Sequence, residues 1–137
     1  MSYRVYDNEE SKWIKDNIYM NPDSKLYKIK QSLFGMVKIP LALDSERYIY
    51  QVDIGIVDCN GKKIYDGDYI RANIGKVDEE DENSEDKIEI GLVSYAPELA
   101  MYIILCVNSD TWYSLGSEYS DRLEVIGNVF DGYEGGV

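Results

Sequence analysis

Residues 47–58 read RYIYQVDIGIVD, and apolar side chains return at every second position: Tyr48, Tyr50, Val52, Ile54 and Ile56. A strand turns successive side chains to opposite faces, so these five share one face of a β-strand. The same period recurs in short blocks along the chain. YRVY (3–6), KWIKDNIYM (12–20), KLYKI (25–29), DYIRANI (68–74), IEIGLVSYA (88–96), MYIILCV (101–107), TWYSL (111–115) and LEVIGNVF (123–130) all read as strands. SLFGMVKIPLAL (32–43) is a strand with an irregular exit, because Gly35 and Pro40 interrupt it. NPDS (21–24) is a turn signal that joins 12–20 to 25–29 as a hairpin, with Trp13, Ile18, Leu26 and Ile29 expected to be buried. No window sustains helical spacing with caps; a short helical turn over Asn8 to Ile14 is the one place with an N-cap and an acidic first turn. The pattern predicts a mainly β, antiparallel fold, a small barrel or sandwich.

The chain has 137 residues, enough for one domain with a real core. Tyr supplies 13 of its aromatics, which suits half-buried strand positions. The net charge is −12, and seven acidic residues fall in DEEDENSED, 78–86. Without them the balance is about −5. The stretch reads as a solvated loop between two strands, since like charges repel and bury no apolar area. Neither register of an EF-hand loop fits it, because the sixth residue is Asp86 counted from Asp81 and Asn83 counted from Asp78, where glycine is needed. An acidic chain disfavours unaided binding to nucleic acid and docking on anionic membranes.

The two cysteines, Cys59 and Cys106, form no CxxC pair, and there is no His to complete a zinc set. Cys106 is expected in the core and Cys59 partly buried before a turn. The opening MSYRVYDNEESKW has no apolar core of signal-peptide type, and the longest apolar run, AMYIILCV at 100–107, is far too short to span a bilayer. A cytoplasmic protein with reduced thiols is expected, with no metal and no cofactor.

The densest motif is NGKKIYDGDYI, 60–70. Asn60-Gly61 is a favoured type I′ hairpin pair, and Asp66-Gly67 is a second tight turn whose Asp66 carboxylate can accept backbone N–H bonds. Asp66 and Asp68 could alternatively form an acid/base pair or hold a metal, but nothing in the sequence signals the cleft such chemistry needs.

YIYQVDIGIVDCNGKKIYDGDYI, followed by LEVIGNVFD, resembles the YopX-like family of phage and prophage proteins. The residues that carry the resemblance are Asn60, Gly61, Ile64, Tyr65, Asp66, Gly67 and Asp68, then Glu124, Val125, Ile126, Gly127 and Asn128. YRVYD and MNPDSKLYKI are similar to the family's aromatic opening strand and turn. The resemblance implies a mostly-β protein with an SH3-like barrel in its C-terminal part and a phage or prophage source. It brings no catalytic residues. It divides the chain into an N-terminal β-hairpin extension over 1–45, a barrel over 46–131 with its acidic loop at 78–86, and a frayed tail over 132–137. That tail, DGYEGGV from Asp131, lacks the helical end common in the family.

Four functions suit a chain of this kind to different degrees. The leading one is a non-enzymatic interaction module acting on a protein partner, self-association included. Nucleic-acid binding suits small barrels with stacking aromatics, but the charge opposes it. An acidic DNA mimic acting on a host DNA-binding enzyme is a third reading. An enzyme is the fourth; without His the usual general base is missing, and no P-loop or G-x-S-x-G is present.

Overall fold

The computed structural model describes residues 3–14, 17–20, 26–32, 35–40, 47–76 and 80–133. They form a mainly β, antiparallel protein, and the regular helix among them is a single 3-10 segment, Ser117–Arg122. The chain divides into two compact units, residues 1–53 and 54–137. Acidic and basic residues balance within the first unit, so the whole net charge of −12 belongs to the second.

In the first unit β1 (Tyr3–Asp7) pairs antiparallel with β2 (Lys12–Trp13) on one side and β6 (Tyr48–Val57) on the other. Val5 and Tyr6 are buried, and Tyr6 meets Trp13 edge-on at 5.1 Å. The expected helical turn over Asn8 to Ile14 is a tight β-turn instead. Asp7 explains the difference: its Oδ1 accepts the N–H groups of Glu9 and Glu10, and its carboxylate also takes Arg47 Nε and Nη2 at 3.2 and 3.1 Å. Those contacts close the chain back into β2 before a helical turn can form. A separate three-stranded sheet contains β3 (Asn17–Met20), β4 (Leu26–Ser32) and β5 (Gly35–Pro40), all antiparallel. The 17–29 pairing agrees with the expected hairpin; its turn at 21–24 and the burial of Ile18, Leu26 and Ile29 lie outside the described residues. β6 covers the predicted strand, but Tyr50 on its apolar face is exposed. Gln51, from the opposite face, is buried with its amide oxygen accepting Arg4 Nε–H at 2.9 Å.

β6 ends in the second unit beside β7 (Lys63–Tyr65). The rest is a six-stranded sheet built from β8 (Asp68–Lys76), β9 (Asp86–Ala96), β10 (Met101–Cys106), β11 (Trp112–Ser114), β12 (Leu123–Asn128) and β13 (Gly132–Tyr133), in the order β11-β10-β9-β8-β12-β13. The core is the face carrying Ile70, Ala72, Val93, Ile104 and Leu123, which pack with Ile64 from β7. All six are apolar positions of period-two strands, so burial follows directly from the alternation.

Three further expectations are corrected. Cys59 is exposed, because it sits at the outer corner of the β6–β7 loop; Cys106 is buried as expected. Residues Gly132 and Tyr133 pair with Asn128 and Gly127, so the tail begins as a strand. The acidic stretch is a loop only in part. Glu80 to Glu85 form a turn in which Asp81 takes the N–H groups of Asn83 and Ser84, while Asp86 already opens β9 and accepts Asn73 Nδ2 at 3.0 Å. Residues 77–79 lie outside the described residues.

Candidate functional site

The motif residues turn out to be holding points of the second unit. Asp58 is almost fully buried, and its carboxylate accepts Asn60 and Lys62 N–H on Oδ1 at 2.9 Å each and Val125 N–H on Oδ2 at 3.0 Å. Gly61 N–H donates to the Asp58 carbonyl, and Asp58 N–H to the Lys62 carbonyl. Gly61 has φ 78° while Asn60 does not have positive φ. The loop is thus a three-residue turn closed by a glycine bulge, and the type I′ expectation is corrected. The cause is Asp58, which gathers the N–H groups of a longer loop onto one carboxylate. Burial would push its pKa up, but the donors from Val125, Lys62 and Asn60 outweigh it and hold the carboxyl below its ordinary 3.8.

Ile64 is fully buried in the core, and Tyr65 follows it half-buried. At the next turn Gly67 has φ 95°, N–H bonded to the Val93 carbonyl and its own carbonyl accepting Val129 N–H. The carboxylate that accepts a backbone bond here is Asp68, fully buried, taking Tyr65 N–H at 2.8 Å. Asp66, expected in that role, is only partly buried, and burial raises its pKa. The two aspartates thus differ in burial and in bonding. In β12, Glu124 pairs with Arg71 at 2.8 Å, Val125 packs on the core, and Ile126 falls where the register shifts against β8. At Gly127 any Cβ would run into the Gly132 carbonyl oxygen. Asn128 Oδ1 accepts Phe130 and Asp131 N–H, closing the turn into β13. Among the described residues no three Cys, Asp or Glu come together as a metal set.

Two surface features emerge that alternation alone does not indicate. The first is a cleft of about 250 Å3 in the second unit. Its floor is Ala72, Ile74, Ile104 and Leu123, and its sides are Asn73, Tyr113, Ser114, Leu115, Tyr119 and Arg122. The 3-10 helix supplies Tyr119 and Arg122, and the β10–β11 pairing brings Tyr113 opposite Ile104. TWYSLGSEYSDRL, 111–123, held the signal: two tyrosines and an arginine around a polar, glycine-marked break between strands.

The second feature is a straight row on the opposite face of the sheet. Trp112, Leu105, Leu92, Tyr69, Gly127 and Tyr133 are register partners in that order, one from each of the six strands. Leu105, Leu92 and Tyr69 neighbour the core residues Ile104, Val93 and Ile70 in sequence, so alternation turns these three to the other face of the sheet. Trp112 and Leu105 remain 46% and 43% exposed, and the Tyr69 and Tyr133 rings meet at a tilt with their centroids 4.6 Å apart.

No helix among the described residues is long and apolar enough to cross a membrane. The fold is similar to the crystal structure of protein EF1440 from Enterococcus faecalis, with a TM-score of 0.52 and 20% identity over 94% of this chain and 92% of that one. No curated protein matches the sequence. The family model described as YopX protein matches residues 2–134, nearly the whole length. The chain therefore belongs to the YopX protein family.

Proposed function

We propose that this protein is a non-enzymatic interaction module, a phage or prophage accessory protein that works on a protein partner in the host cytoplasm and also self-associates. The observation that carries the reading is the apolar row from Trp112 to Tyr133, which crosses every strand of the sheet with exposed members at both ends. Exposed large apolar side chains such as Trp112, Leu105 and Tyr133 favour burial against a partner. An SH3-like barrel in the second unit is supported by the β8–β9–β10 meander and by the 3-10 helix ahead of β12, which returns to pair with β8. The acidic DNA-mimic reading is kept as the alternative, because the full −12 is confined to residues 54–137.

Light scattering decides the first reading. The expected result is a mass above the 15.7 kDa monomer that falls toward it in a Leu105→Ser/Trp112→Ser variant. A filter-binding assay should give no affinity for duplex or single-stranded DNA at physiological salt. A strict monomer that binds oligonucleotides below about 1 μM would overturn the proposal.

A further inference from the structure

The second unit has few cations, and two on its strands are held in ion pairs: Arg71 with Glu124 and Lys87 with Glu89. Arg122 differs. Its side chain has no ion pair or hydrogen bond among the described residues, and it stands at the side of the cleft, not out on a strand. A guanidinium carries five donors and no acceptor, so it is complementary to a carboxylate, which it can hold through two parallel bonds. Beside it the cleft offers an apolar floor and the Tyr113 and Tyr119 rings.

We propose that this cleft receives the C-terminal residue of a partner polypeptide, with an apolar side chain on Ile74 and Leu123 and the α-carboxylate on Arg122. Two observations select that ligand. The volume of about 250 Å3 is below the range of drug-sized ligand clefts and suits one residue. The charge of −12 on this unit repels polyanions such as acidic peptides or nucleic acid, so a single carboxylate on an apolar chain end is the anion it opposes least. Glu118 and Asp121, which share the 3-10 helix with Arg122, add to that exclusion without lining the cleft.

The test is an NMR titration of the full 15N-labelled chain with three probes: N-acetyl-Ala-Leu with a free carboxylate, the same peptide as its C-terminal amide, and N-acetyl-glutamate amide. The free acid should shift the amides of Ile74, Tyr119 and Arg122 with a Kd near about 1 mM, and the C-terminal amide should bind at least about tenfold more weakly. Arg122→Gln should reduce the acid to the level of the amide while leaving shifts elsewhere unchanged, since Arg122 is exposed. Equal binding of acid and amide, binding of the glutamate probe as tightly as the acid, shifts mapping elsewhere, or no shifts at all would each overturn the proposal. None of these outcomes touches the self-association reading, which rests on the opposite face and is read by light scattering.

Discussion

At the scale of single residues, Asp58 ties distant parts of the second unit together. Its carboxylate joins the β6–β7 loop to β12 across a sequence separation of 67 residues. Asp58→Ala should cost about 3 kcal/mol or more in urea unfolding, because buried N–H groups lose their acceptor. Asp58→Asn keeps the shape and should cost less. The pH dependence has a definite sign. The folded pKa lies below the ordinary value, so the unfolded chain binds more protons between the two. The stability from Asp58 is complete above about pH 4 and is lost as pH falls through the folded value. The stability gap between wild type and Asp58→Asn should therefore narrow as pH is lowered from about 6 to about 2. Asp7, lowered chiefly by the Arg47 hydrogen bond, acts with the same sign. Gly67→Val should destabilise by about 1–2 kcal/mol or more, since a β-branched residue is strained at φ 95°. Equal stability with lost partner binding would show instead that this turn is part of an interface.

At the scale of elements, the acidic turn and β12 behave oppositely. Glu80 to Glu85 are exposed or half-exposed, and within the turn Asp81 accepts the N–H groups of Asn83 and Ser84. Replacing 80–85 with a Gly/Ser linker should change stability by less than about 1 kcal/mol, because loop-closure entropy varies slowly with length. A loss of several kcal/mol would mean that the turn packs or holds an ion. β12 has no such tolerance. Gly127→Ala drives a methyl into the Gly132 backbone and should unpair β13, visible as lost hydrogen-exchange protection at Tyr133.

For the whole molecule, the asymmetry of charge matters most. A balanced N-terminal unit is joined to one carrying −12, and a net charge of that size opposes association through exposed apolar side chains such as Trp112 and Leu105. Lowering the pH toward 4.3 removes the repulsion, so light scattering should rise steeply there, and added salt near neutral pH should strengthen self-association in the same direction. A scattering signal independent of both would show that the apolar row is not what brings copies together.

Period two from Tyr48 to Ile56, and again in β8, β9, β10 and β12, was enough to establish a mainly β chain, because alternation is a local consequence of strand geometry. Gly67 and the burial of Cys106 were legible for the same reason: each depends on a residue's own conformational or solvation preference. The type of the Asn60-Gly61 turn was not, since Asp58 decides it by using Val125, which is remote in sequence. Nor was the fate of Asn8 to Ile14, settled by Arg47 arriving beside Asp7. The cleft and the outer row depend on strand order. Ile74, Tyr113 and Arg122 converge only because β12 returns to β8 and β11 adds to β10. Alternation says which residues share a face of one strand; which strands become neighbours is chosen by the packing of the whole sheet, and that choice creates the site.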